Sequence, residues 1–170
     1  GIALSKNKQR LAVAFTGPSN SGKTTLIVKV SSILQDQGFK VAIVKHDPKD
    51  KAMFDKEGKD SFKFSQTGAD VAVVSPNKTT IFKKQTSSIE EMIDIFDEFD
   101  FLLVEGLKTL PLPRICISRN KLDDAYFDVS DTLAIDDSIN QNDVPEGMNI
   151  LDLNNSDEIV QWIKNNAKKV

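Results

Sequence analysis

Apolar positions in this chain fall into short continuous runs that alternate with stretches of helical period. Within residues 10–17, Leu11 to Phe15 is unbroken apolar sequence, the signature of a strand buried on both faces. Residues 23–37 then carry Leu26, Val30, Ile33 and Leu34 at helical spacing, and Gly38 supplies a C-terminal stop. Residues 41–44 form a second run of the buried type. Strand, helix and strand in such close succession make a βαβ unit, whose two strands run parallel.

Residues 45–67 break the pattern. They are polar and charged, with a helical stretch over 61–66, and a loop of this length in a compact domain is functional or disordered. Residues 71–75 and 79–83 read as strands joined by a Pro76-Asn77 turn, a hairpin. The spacing predicts a helix over 88–99, opened by a capping box of Ser88 and Glu91 and faced by Ile89, Met92, Ile93 and Phe96. A third buried strand, 101–104, ends at Glu105-Gly106, and shorter ones follow at 115–118, 133–135 and 150–153. Residues 120–129 are polar and read as loop. Ser156 caps a closing helix with Ile159, Val160, Ile163 and Ala167 on its apolar side. The alternation predicts an α/β fold with a largely parallel sheet and a β-hairpin insertion.

Composition narrows the class. A length of 170 residues predicts one domain, 1–170, large enough to bury a core without disulfides or a structural metal. Lys plus Arg number 22 against 25 Asp plus Glu, and a net charge of −3 argues against a general nucleic-acid binder. No apolar run approaches the roughly 20 residues that span a bilayer, so no membrane contact is expected. Residues 1–10 are charged and lack the apolar segment of a secretory signal. A single cysteine, Cys116, excludes an internal disulfide, a multi-cysteine zinc site and an iron–sulfur cluster within one chain. Cytoplasmic location is the expectation that follows.

The sharpest motif is Gly17-Pro18-Ser19-Asn20-Ser21-Gly22-Lys23-Thr24, a full match to G-x-x-x-x-G-K-[ST], placed between a buried strand and a helix. Glycines at its two ends admit backbone conformations closed to other residues, so that successive N–H groups turn inward as an anion nest at a helix N-terminus. Lys23 reaches the β- and γ-phosphates, and the Thr24 hydroxyl binds Mg²⁺. The motif predicts a P-loop NTPase-like three-layer fold and a Mg²⁺-dependent nucleoside triphosphate site.

Such a site needs a carboxylate near the metal. Ligands in parallel sheets bind beyond the carboxyl ends of the strands, where Glu105, Asp47 and Asp136 all fall. Glu105, after an apolar strand, holds the Walker-B-like position, and Asp47 is the second candidate. Asp136 and Asp137 rank behind them. The Gly58-Lys59-Asp60-Ser61 cluster reads either as a ligand-orienting segment or as a charged flexible loop.

Taken together these motifs resemble the molybdopterin-guanine dinucleotide biosynthesis protein B (MobB) family. The resemblance is carried by the P-loop through Thr25, Val44-Lys45-His46, Gly58-Lys59-Asp60-Ser61, Gly68-Ala69, Leu103-Val104-Glu105-Gly106-Leu107-Lys108, and the segment from Arg114 to Arg119. It implies a GTP-binding protein with weak GTPase activity that assists attachment of GMP to molybdopterin. It implies that a separate guanylyltransferase of the MobA type performs the transfer, with this chain as a homodimeric accessory. Carried onto this chain, the phosphate site is Gly17 to Thr25, Thr24 and Glu105 lie near magnesium, and Asp60 and Arg119 are further site residues. The chain departs from the family's pattern in keeping a single histidine, His46, followed by Asp47-Pro48-Lys49-Asp50.

Several features stay open at this level. Asn120-Lys121-Leu122-Asp123 matches N-K-x-D, in which the aspartate accepts from guanine N1–H and N2–H₂, but it reads equally as a polar surface turn. His46 has two readings, a phosphate contact or a structural imidazole. Cys116 reads as a buried small hydrophobe and Trp162 as core or interface. Lys49, Lys51, Lys56, Lys59 and Lys63 form mostly a solvated face, with a pterin phosphate as the alternative ligand. The competing function is a small-molecule kinase with Glu105 or Asp60 as general base. A nickel-delivery type of GTPase would need more Cys and His than one of each.

Overall fold

The structure, a computed structural model, describes residues 9–54 and 57–170. The first eight residues, most of the charged segment read above for a signal, lie outside the described residues, as does Lys56. The chain packs as two compact units: residues up to His46 together with Phe96–Val170, and Asp47–Ile95, which is inserted in sequence between them.

The first unit is built on the parallel sheet. Strand β1 (Leu11–Thr16) leads into α1 (Lys23–Asp36), and β2 (Val41–Lys45) returns. After the inserted unit come β5 (Phe101–Glu105), β6 (Arg114–Ser118), β7 (Thr132–Ile135), β8 (Asn149–Asp152), α4 (Ser156–Asn166) and a two-residue strand, β9 (Lys168–Lys169). The strand order is β2-β5-β1-β6-β7-β8, every pair in that path being parallel. β9 runs antiparallel against β1, pairing Leu11 with Lys169, on an edge of β1 that β6 joins only from Ala14 onward.

Period-two alternation sends side chains to the two faces of this sheet. Val13, Phe15, Phe101, Leu103, Ile115, Ile117 and Ala134 pack against Leu26, Val30 and Leu34 of α1 and Ile159, Val160 and Ile163 of α4. Cys116, Leu133 and Ile135 face the other way and meet Ile139, with Leu122, Tyr126, Val144 and Met148 around them. Trp162 packs at the margin of the larger cluster, in agreement with its reading as core.

The differences from the expected elements have local causes. The run 41–44 reads as fully buried, yet Ile43 is 43% exposed, because β2 is the last strand of its sheet and only β5 flanks it. The closing helix is capped by Asn155, whose side chain accepts from the Glu158 N–H at 3.1 Å, and Ser156 is its first residue. β9 has no apolar signature in the sequence. Backbone hydrogen bonds hold it, among them Val170 N–H to the Arg10 carbonyl at 2.9 Å.

The second unit contains α2 (Asp60–Gln66), a hairpin of β3 (Val71–Ser75) and β4 (Lys78–Phe82), and α3 (Ile89–Phe96), which runs up to its boundary. The hairpin is antiparallel with Ser75 opposite Lys78 across Pro76-Asn77. The capping box forms as expected: the Ser88 N–H donates to Glu91 Oε1 and the Glu91 N–H to Ser88 Oγ, both at 3.1 Å. α3 stops at Phe96, short of the expected Phe99, because Asp97 turns into the left-handed region at φ 61°.

Candidate phosphate-binding site

The loop after β1 has the shape its sequence demands. Gly17 sits at φ 152°, and a Cβ there would come within 2.5 Å of the Ile117 carbonyl oxygen, so no other residue lets the end of β1 lie this close to β6. Gly22 at φ 94° is the N-cap of α1 and offers no side chain to the first-turn N–H groups, which leaves them available to an anion. Ser21 Oγ is buried, and among the described residues it has no hydrogen-bond partner. Lys23 folds back over the loop and donates to the Gly17 carbonyl at 2.8 Å. An orphaned hydroxyl, open helix N–H groups and a lysine are a donor set that matches a phosphate chain.

The sheet register brings the acidic partner alongside. Glu105 is paired with Phe15 of β1 on one side and with Lys45 of β2 on the other. Its Oε1 lies 3.4 Å from Lys23 Nζ and its Oε2 accepts from Lys45 Nζ at 2.9 Å. One carboxylate between two ammonium groups leaves the cluster with an excess positive charge, which favours an anionic ligand. Thr24 and Thr25 are exposed on the first turn of α1. The oxygen donors Thr24 and Glu105 suit a hard divalent cation such as Mg²⁺.

Arg119 and Asp136 stand on the flank of the loop. Arg119 Nε is 3.3 Å from Asp136 Oδ2, and its guanidinium Nη1 would lie 3.3 Å from a Cβ on Gly22. Asp136 also accepts from Ser138, at its backbone N–H (3.0 Å) and at its hydroxyl. The Ser138 hydroxyl in particular holds the Asp136 carboxyl below its ordinary value, with Arg119 adding to the effect. A cavity of about 210 Å³ opens here, lined by Gly22, Thr25, Leu26, Arg119, Asp136 and Leu153 among others.

Other expected residues have local roles. Asp47 begins the second unit, where its Oδ2 accepts the Ala52 N–H at 2.7 Å. Asp60 is the exposed first residue of α2 in that same unit. Asp123 caps a 3-10 turn, accepting the Ala125 N–H at 3.0 Å, and the Asn120 N–H donates to Ser138 Oγ. That is the turn reading of N-K-x-D. His46 donates its backbone N–H to the Glu105 carbonyl, and its Cβ lies 3.2 Å from where a Cβ on Gly106 would sit. Burial pushes the Cys116 thiol up to about 11.

Two roles escaped the sequence reading. Lys45 lay inside a recognised motif without a function, and only the parallel pairing of β2 with β5 reveals it as the partner of Glu105. Arg114 is 3% exposed and donates to the carbonyls of Gly106 and Leu107 at 2.7 Å and of Leu110 at 3.1 Å. It clamps the loop that follows Glu105. Burial lowers its pKa, and it meets backbone carbonyls where a ligand-facing arginine would meet phosphate.

Fold and loop together define the class: an α/β protein of the P-loop NTPase type, with a nest suited to phosphate. Comparison with known proteins specifies it further. The family model for molybdopterin guanine dinucleotide synthesis protein B, MobB, matches residues 12–136. A molybdopterin-guanine dinucleotide biosynthesis adapter protein of Haemophilus influenzae is 31% identical over 121 residues, covering 68% of this chain and 67% of that protein. A provisionally named adapter protein of the same kind from Methanocaldococcus jannaschii is 30% identical over 131 residues, 74% of this chain but 54% of that protein, so the match spans about half of the archaeal relative's length. The crystal structure of Bacillus subtilis MobB superposes with a TM-score of 0.74 at 21% identity, over 93% of this chain and 98% of that one, a likeness of fold. The chain belongs to the MobB family. These likenesses lend nothing to the kinase alternative.

Proposed function

We propose that this chain binds GTP with Mg²⁺ at the Gly17–Thr25 loop and serves as an accessory protein in the attachment of GMP to molybdopterin. The observation that carries the reading is the combination of an orphaned buried Ser21 hydroxyl and a Lys23 lying across the loop, in a member of this family. Backbone N–H groups and Lys23 neutralise the triphosphate. Thr24 and Glu105 hold the cation, which screens phosphate charge when bound. Hydrolysis of the bound GTP is slow in this reading. Arg119 completes the site residues of the first unit in this reading.

The guanylyl transfer itself belongs to a MobA-like partner. The chain works in the cytoplasm as one nucleotide-binding domain, 1–170, and as a homodimer. The β3–β4 hairpin supports the dimer: Val74 and Ile81 lie on one of its faces and are exposed, an apolar surface suited to a second copy. Among the described residues no helix is long and apolar enough to cross a membrane. The test is reconstitution of dinucleotide formation from molybdopterin, Mg²⁺-GTP and a MobA-type enzyme. Addition of this protein raises the rate and Lys23→Ala fails to do so; equal rates with and without it contradict the reading.

A further inference from the structure

The cavity beside the phosphate loop has walls suited to a flat, partly polar ring. Thr25 and Gly22 form its loop side, so a nucleoside attached to a phosphate chain in the nest enters it directly. Leu26 and Leu153 supply apolar surface, and Asp136, Arg119, Lys29 and Asn154 supply the polar groups, the pattern of a small-ligand pocket with a few orienting contacts. Among the described residues Asp136 is the only carboxylate lining it. Its side chain is 19% exposed and is fixed by Ser138 through Oδ1, while Oδ2 meets Arg119 at 3.3 Å. A carboxylate has about four acceptor sites, two on each oxygen, so Oδ2 can take two donors once Arg119 turns away from it. Arg119 is half exposed and can move aside without being dragged from a core.

We infer that Asp136 reads the guanine base, accepting from its N1–H and 2-amino group, with Arg119 as the cation that holds this acceptor beside the loop until a nucleotide enters. The role that N-K-x-D suggested for Asp123 thus passes to the end of β7, since Asp123 is engaged in capping its own turn. Adenine would set its N1 lone pair against the same ionised carboxylate, an unpaired and repulsive contact, so the pocket discriminates by chemistry as well as by shape. The inference rests on the proposed binding of GTP at the Gly17–Thr25 loop and names what makes that site choose guanine.

The test is calorimetric titration of wild type and Asp136→Asn with Mg²⁺ complexes of GTP, ITP, XTP and ATP. Wild type should bind GTP about tenfold or more tightly than ITP, which lacks only the 2-amino donor to a charged acceptor. In Asp136→Asn the amide keeps an acceptor for N1–H but presents NH₂ to position 2. GTP should weaken about tenfold, and XTP, with an oxo group there, should tighten by a similar factor. ITP equal to GTP in wild type overturns the inference without recourse to any variant. So does an Asp136→Asn protein that retains GTP, or that loses GTP with no gain for XTP. ATP bound better than GTP by wild type would instead overturn the reading of the site as a GTP site, and the role of Asp136 with it.

Discussion

Glu105 and Lys23 meet as an ion pair at 3.4 Å, and Lys45 holds the other oxygen of the same carboxylate at 2.9 Å. The parallel register of β2, β5 and β1 makes this arrangement, because Lys45, Glu105 and Phe15 are direct neighbours across three strands. In this state Lys23, proposed to bind phosphate, rests on the residue proposed to serve the cation. Glu105→Gln should therefore weaken the response to Mg²⁺ more than nucleotide binding itself. The Mg²⁺ half-saturation is expected to rise roughly tenfold, equivalent to about 1.4 kcal/mol. Titrating Mg²⁺ at fixed GTP checks it, and an unchanged requirement would shift the carboxylate role to Asp47.

Gly17 admits no side chain. A methyl group 2.5 Å from the Ile117 carbonyl forces β1 and β6 apart at the mouth of the nest. Gly17→Ala should cost about 1–3 kcal/mol of stability, a fall in Tm of roughly 2–12 °C for a chain of this size. Thermal unfolding followed by circular dichroism measures it, and nucleotide affinity should fall in parallel.

Arg114 is a buried cation with three carbonyl acceptors. Lysine preserves the charge but has no planar fork to reach Gly106, Leu107 and Leu110 together, so Arg114→Lys should still destabilise the protein by about 2–4 kcal/mol. Denaturant unfolding gives the number. A stability equal to wild type would show that the clamp on the loop after Glu105 is dispensable.

Cys116 should be inert in the native state. Its thiol is raised from 9.0 to about 11, chiefly by burial in the sheet. The folded state therefore keeps a proton that the unfolded chain gives up sooner. The resulting contribution to stability is complete below 9.0 and disappears as the pH rises toward about 11. Alkylation by iodoacetamide at pH 8 should be negligible until denaturant is added. Ready modification of the folded protein would contradict the buried placement.

The sequence made the phosphate loop, its flanking strand and helix, and Glu105 legible, because these rest on local rules: continuous apolar runs, glycines where the backbone turns, and a strand end. What depended on neighbours was not legible. Ile43 belongs to an apolar run like that of β1, and only its place at the sheet edge leaves it exposed. Lys168 and Lys169 carry no strand pattern, and they pair with β1 because β6 leaves that stretch of its edge open. Arg114 and Lys45 acquire roles through tertiary pairing alone. Asp136 is visible as a strand-end carboxylate with Ser138 two residues on, but nothing local tells that Arg119 meets it beside the loop.

The most direct test of the central claim is titration of GTP with Mg²⁺ into wild type and Lys23→Ala by calorimetry at fixed salt. Wild type should bind saturably and Lys23→Ala should lose most of that affinity, about 2 kcal/mol or more for a charge-assisted contact to phosphate. GTP binding by Lys23→Ala at the wild-type level would place the nucleotide somewhere other than the Gly17–Thr25 loop.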